Sequence, residues 1–302
     1  MRLLVTGGTG FIGQPLCRAL LEQGHVLMVL TRSAAAAGQA SDRVRTVQWE
    51  PGRGGEWERV VADVDAVINL VGESIAARRW SAQQKQRIVS SRMETTRALV
   101  AAMRQASSKP ALLINASAVG YYGSHGDEPL TEEAASGAGF LAETCRQWEA
   151  EAVAAESLGV RVVRLRIGVV LGQGGGALSK MVPPFRAFVG GPLGTGRQWM
   201  SWVHRDDVIG LIAWLLTQPQ ASGAFNATAP EPATMRQFCQ ALGSVLRRPS
   251  WAPVPSFLLR VLLGEMAEML LTGQRVLPVR AQSLGYRFRH PALQEALAAC
   301  VE

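Results

Sequence analysis

The residues with the clearest chemical purpose stand at the start of the chain. Thr6-Gly7-Gly8-Thr9-Gly10-Phe11-Ile12-Gly13 places glycines at 7, 10 and 13. In such a loop Gly7 permits a tight turn and Gly10 lets a pyrophosphate approach the backbone. Gly13 lets the following helix lie close to the strand, and the phosphates meet that helix's positive N-terminus. Thr9, Phe11 and Ile12 fall between the glycines and share the loop. This chemistry needs a strand before the loop and a helix after it. Arg2 to Thr6 reads as a buried strand, and Phe11 to Gln23 as a helix with Ile12, Leu16, Ala19 and Leu20 on one face, ended by Gly24. A second strand follows at Val26 to Leu30 and closes on Thr31-Arg32-Ser33. A carboxylate at that tip would select the ribose hydroxyls of NAD, whereas a cation with hydroxyl neighbours suits a 2′-phosphate, so the dinucleotide expected is NADP.

The elements after this opening must place the remaining polar residues. Strands are expected around Val44 to Trp49, Ala66 to Val71, Ala111 to Ser117 and Val160 to Val170, and helices from Ser81 to about Gln105 and from Phe140 to Leu158. Strands alternating with helices of this length call for a parallel sheet covered on both faces, a Rossmann-type doubly wound α/β fold. Residues 1–171 form the expected NADP-binding domain, with a returning element near 206–228. Past Gly172, Gly174-Gly175-Gly176 and Pro183-Pro184 interrupt regularity, and residues 172–302 read as a smaller α+β lobe that includes the region from about 250 to 302. Helices are expected there at Met235 to Leu246, Phe257 to Leu271 and Ala292 to Ala299.

Composition narrows the function classes. The chain has 302 residues, 48% of them hydrophobic, enough for a large core and against disorder. Apolar runs such as Leu211 to Leu216 are far shorter than the ~20 residues of a membrane span. The chain opens directly on an apolar strand, without a basic leader, and is expected to be cytoplasmic. Its net charge of +7 comes from 31 scattered basic residues rather than a basic stripe with interleaved aromatics, which argues against a nucleic-acid partner and favours anionic small molecules. Cys17, Cys145, Cys239 and Cys300 lack any paired spacing, so free thiols and no metal site are expected.

The chain resembles an extended short-chain dehydrogenase/reductase. The likeness rests on the glycine loop, Asn69-Leu70-Val71-Gly72, Ser117 followed by Tyr122-Gly123, Arg166 before Gly172, and Trp202-Val203-His204-Arg205-Asp206-Asp207. Gly264-Glu265-Met266 and Gly273-Gln274-Arg275-Val276-Leu277-Pro278 resemble the small domain appended to one atypical branch, described as nucleoside-diphosphate-sugar epimerases or cell-division inhibitors. Ordinary members carry a tyrosine acid/base and, four residues on, a lysine that lowers its pKa and holds the nicotinamide ribose. Aligning Glu149 with the family's glutamate puts Leu141 and Cys145 at those places, and no Tyr-x-x-x-Lys occurs anywhere in the chain.

The resemblance sets the other candidates. Ser117, at the C-terminal end of the fifth strand, is expected to face nicotinamide or substrate. Tyr122 and His204 are the replacement acid/base candidates. Leu70, Gly72, Glu73 and Arg78 follow the fourth strand at the cofactor rim, Trp49 lies toward the adenine, and Arg166 belongs to the same binding set. Arg92 on the long helix recognises an anionic substrate if it points inward, and is an ordinary surface charge if it points outward. The function expected is an NADP-dependent oxidoreductase or epimerase acting on a small molecule, anionic or nucleotide-linked. The competing expectation is a silent NADP(H)-binding sensor or interaction protein. Relatives often pair through the helices around 81–105 and 140–158, which leaves room for a homodimer.

Overall fold

The computed structural model describes residues 1–32 and 40–301. In its first half, β1 (Arg2–Thr6), α1 (Gly13–Glu22), β2 (Val26–Thr31), β3 (Ala40–Ser41), β4 (Val44–Gln48), α2 (Glu56–Val60), β5 (Ala66–Asn69), α3 (Ala82–Gln105), β6 (Leu112–Ala118), β7 (Pro129–Leu130), α4 (Phe140–Val153) and β8 (Arg161–Ile167) follow one another. In the second half come β9 (Val169–Leu171), α5 (Leu178–Arg186), β10 (Trp199–Met200), β11 (Trp202–His204), α6 (Arg205–Leu216), β12 (Gly223–Ala227), β13 (Ala233–Thr234) and α7 (Met235–Leu246). The chain ends with α8 (Ser256–Leu263), α9 (Glu268–Leu271), β14 (Arg275–Val276), α10 (Val279–Ser283) and α11 (Leu293–Val301).

The main sheet runs β12-β8-β6-β5-β1-β2-β4-β3, with seven strands parallel and the short β3 antiparallel at one edge. Strands covered on both faces read as continuous apolar runs, which is why Leu3, Leu4 and Val5 are all fully buried. Leu3 and Val5 pack with Leu16 and Leu20 of α1 and with Leu211, Ile212 and Leu215 of α6. Leu4 faces the opposite layer with Leu99 and Met103 of α3, Val60 of α2 and Ala152 of α4. A third core, around Trp202, Phe185, Phe238, Leu242 and Leu297, holds the C-terminal elements together. The doubly wound α/β architecture read from the sequence is therefore the observed one, with a mainly helical C-terminal region.

Several boundaries differ from expectation for identifiable reasons. The strand expected over 160–170 breaks at Gly168, where a Cβ would stand 2.4 Å from the Ser201 carbonyl oxygen. Beyond that crossing, β9 leaves the main sheet and pairs with β11. β6 runs to Ala118, and Tyr121 and Tyr122 follow it in a 3₁₀ turn over Val119–Tyr122. The helix expected over 257–271 is interrupted at Gly264, whose φ of +60° no α-helix accommodates. Helix α5 forms through Pro183 and Pro184, which read as breakers. The prolines lose only their donors, while their carbonyls still accept from Ala187 and Val189, each at 3.0 Å.

Candidate functional site

The glycine loop sits where the sheet order reverses, since β1 lies between β5 and β2. Its three key glycines do different work. Gly7 has φ +71°, and a Cβ there would come within 3.0 Å of the Leu70 carbonyl at the end of β5. A Cβ on Gly13 would stand 2.1 Å from the Gly7 oxygen, so α1 could not dock on the loop. At Gly10 the nearest atom to an added Cβ is the Gly7 oxygen at 3.2 Å, with nothing else inside 4 Å among the described residues, and both Thr9 and Gly10 are exposed. Among the described residues no side chain caps α1, and Ile12, its N-cap residue, is apolar, so the positive end of the helix faces this space. The cradle fits a pyrophosphate. Phe11 closes one side, lying under the Arg205 guanidinium at 4.9 Å and against the loop at Gly172, Gly175 and Gly176.

On the β2 side, Thr31 is buried and its carbonyl accepts from the Trp49 backbone at 2.9 Å. Arg32 follows it, exposed, with no side-chain contact among the described residues. Ser33 lies outside the described residues. Trp49 turns inward, 3% exposed and edge-on to Trp57 at 5.1 Å, so its ring fills the core instead of lining an adenine site. On the β5 side Leu70 packs against the core, Gly72 is exposed, and the Glu73 N–H donates to Ser91 Oγ at 3.0 Å. Arg78 is exposed on the same rim.

At the tip of β6 the structure draws several predicted residues into one buried network. Ser117 Oγ donates to Glu149 Oε1 at 2.7 Å. Arg166 holds the same carboxylate in a two-pronged grip, Nε to Oε1 at 2.8 Å and Nη2 to Oε2 at 3.0 Å. Its Nη1 donates to Tyr122 Oη at 2.9 Å, and Tyr122 in turn donates to Asn226 Oδ1 at 2.7 Å. The Tyr121 ring stacks on the guanidinium at 3.5 Å. Burial by itself would lower the pKa of Arg166, but its bonds to Glu149 hold it above the ordinary arginine value. Burial also raises that of Tyr122, which is fully inaccessible. Arg166 and Tyr122 thus tie β8, the 3₁₀ turn and β12 together, and neither is presented to the cleft. Leu141 and Cys145 flank Gly120, and burial pushes the Cys145 thiol up to about 11, which keeps it protonated and unreactive.

A family model described as the NAD dependent epimerase/dehydratase family matches residues 3–228, three quarters of the chain. The chain belongs to that family. Residues 254–300 match a domain of unknown function, DUF1731. The epimerase family protein SDR39U1 homolog, chloroplastic, of Arabidopsis thaliana is 46% identical over 100% of this chain and 87% of its own length. The epimerase family protein YfhF of Bacillus subtilis is 41% identical over 99% and 97%. Among solved structures, human epimerase family protein SDR39U1 (isoform 2) with NADPH superposes with a TM-score of 0.86 at 34% identity, covering 99% of this chain and 98% of that one.

Within this epimerase-family chain His204 serves as a joint. It is 5% exposed, and its Nδ1 accepts from the Asp206 N–H at 3.2 Å to cap α6. Its ring lies 3.9 Å from that of His290. Burial, then the His290 charge, lowers its pKa to about 4, so the imidazole is neutral at physiological pH. Asp207 beside it accepts from the backbone N–H of Arg289 and His290 at 2.6 and 3.0 Å, anchoring the C-terminal segment. His204, Asp206 and His290 bring ligand-type atoms within 4.8 Å of one another, but the helix N-terminus and Arg205 oppose a cation there. Glu149, Asn226 and Asp207 were not singled out as site residues from the sequence. A signal for the first was available, because Arg164 and Arg166 alternate on one face of an otherwise apolar strand and both reach Glu149. An open cleft of about 470 Å³, lined by Trp80, Phe140, Arg260, Gly264, Glu265 and Glu268, lies where the DUF1731 region meets the loop after β5.

Proposed function

We propose that this chain binds NADP(H) along the C-terminal rim of its sheet and is an oxidoreductase or epimerase of the atypical short-chain type, acting on a small molecule that is anionic or nucleotide-linked. The observation that carries the cofactor choice is Arg32, exposed at the tip of β2 with no side-chain partner among the described residues and no acid before it in Thr31. A guanidinium so placed is available to a 2′-phosphate. The open space at Gly10 and the uncapped start of α1 would hold the pyrophosphate. The human relative with NADPH, alike over nearly its whole length, supports the same reading. NADPH bound there supplies two-electron reducing equivalents.

The chain's own residues orient and enclose. Phe11 and the 172–176 loop shut one side of the loop from water, and the cleft beside the β5 rim offers the aromatic faces of Trp80 and Phe140 with a mixed-charge wall of Arg260, Glu265 and Glu268. A second reading, a dinucleotide-responsive protein without turnover, is favoured by one observation. The Ser117 and Tyr122 hydroxyls and His204 Nδ1 are all engaged within the fold, which favours water or substrate as the proton source for a reduced product if there is turnover.

Calorimetry with NADPH and NADH tests the cofactor. Tighter binding of NADPH is expected, and Arg32→Asp should cost about 1.5–3 kcal/mol toward NADPH and remove or reverse the preference. Equal affinities in the unmutated protein would overturn the assignment. NADPH consumption across a broad panel of anionic and nucleotide-linked carbonyl compounds separates the two readings, and tight binding without turnover on any of them favours the second.

A further inference from the structure

Arg92 of α3 points inward. Its Nη1 donates to the carbonyls of Glu73 at 3.1 Å and Ile88 at 2.9 Å. Its guanidinium lies 5.0 Å from the Trp148 ring centroid, and a Cβ on Gly72 would meet its Cζ and Nη2 at 3.0 Å. Among the described residues no carboxylate lies within ion-pair distance of it, and no protein acceptor takes a hydrogen bond from Nε or Nη2. Burial lowers its pKa, and the Glu73 carboxylate, beyond ion-pair distance, acts the other way. A half-buried guanidinium with no carboxylate in direct contact imposes its field on whatever shares the corner.

What shares the corner follows from the topology. Arg32 stands on the β2 side of β1, whereas Gly72 and Ser117 stand at the tips of β5 and β6 on the other side. A dinucleotide held at α1 by its pyrophosphate and at Arg32 by its 2′-phosphate would extend its nicotinamide half toward β5 and β6, the side on which Arg92 meets Gly72 and Glu73. This step rests on the cofactor reading above. The nicotinamide ring is positively charged when oxidised and neutral when reduced.

We propose that Arg92 makes the site selective for the redox state of its dinucleotide, disfavouring NADP⁺ through charge repulsion and retaining NADPH. In a partly buried site the repulsion between two unit charges several ångströms apart corresponds to roughly ten- to a hundredfold in affinity. The oxidised form would then leave readily, which suits a protein that works in the reductive direction.

The test measures, by calorimetry, the affinities of NADPH, NADP⁺ and adenosine 2′,5′-bisphosphate, which lacks the nicotinamide half. The unmutated chain, Arg92→Met and Arg92→Lys are compared. The unmutated chain should bind NADPH at least tenfold more tightly than NADP⁺. Arg92→Met should bring that ratio to within about threefold, Arg92→Lys should keep it, and all three should bind the bisphosphate alike, which also shows that they are folded. If Arg92→Met does not fold, Arg92→Gln carries the same expectation. Equal binding of NADPH and NADP⁺ by the unmutated chain, or an unchanged ratio in the neutral variant, overturns the inference while the cofactor reading stands. Failure of the unmutated chain to bind either NADPH or the bisphosphate overturns both.

Discussion

Replacing Arg166 by methionine removes the cation from the centre of the β6–β8–α4 junction while filling most of its volume. Arg166 and Glu149 are 2% and 3% exposed, so the carboxylate left behind cannot recover water. It would retain the Ser117 hydroxyl at 2.7 Å and a longer contact from Arg164 at 3.4 Å, and lose both of the closest guanidinium donors. Breaking a buried pair by removing one partner costs about 3–5 kcal/mol, a large part of the roughly 5–15 kcal/mol by which a protein is stable. For a chain of this size that corresponds to a fall in Tm of roughly 6–10 °C. Urea unfolding at pH 7, followed by circular dichroism, measures the loss. The companion variant Arg166→Met/Glu149→Leu has no charge left to strand and should recover at least half of it. A loss below about 1 kcal/mol in the single variant, or a double variant no better than the single, would refute the view that Glu149 depends on Arg166 for its burial.

Two further outcomes follow from the loop and the histidine joint. Gly10→Ala should fold normally and weaken NADPH binding, whereas Gly13→Ala, whose Cβ would stand 2.1 Å from the Gly7 oxygen, should lower Tm as well; thermal melts with NADPH titrations separate the two. His204 is pushed to about 4 in the folded chain from 6.5, so between those values the unfolded state binds more protons and stability falls as pH drops from about 7 toward 4. The loss is on the order of 3 kcal/mol at most. His204→Asn, which keeps an acceptor for the Asp206 N–H, should flatten that slope in urea midpoints taken at pH 7, 6 and 5.

The parts of this molecule legible in its sequence are those in which one residue type answers one local demand. Gly7 and Gly13 are needed where backbone meets backbone, Leu3 to Val5 where a strand is covered on both faces, and Gly24 where α1 ends. The boundaries that moved depend on distant segments. Nothing near Gly168 announces that the Ser201 carbonyl will cross there, and nothing near Pro183 announces that Ala187 and Val189 will use the proline carbonyls. The same division runs through the site. Ser117, Tyr122, Arg166 and His204 have the side chains that proton transfer or anion binding requires, and a sequence shows the side chain without its partner. The partners are Glu149, 32 residues from Ser117, and Asn226, 104 residues from Tyr122, and they turn Ser117 and Tyr122 into struts. Arg92 shows the converse. Its identity suits a surface helix equally well, and it is distinguished by an inward-facing guanidinium with no carboxylate within ion-pair distance among the described residues. A half-buried cation at the β5 rim with no carboxylate in contact is placed to take its partner from outside.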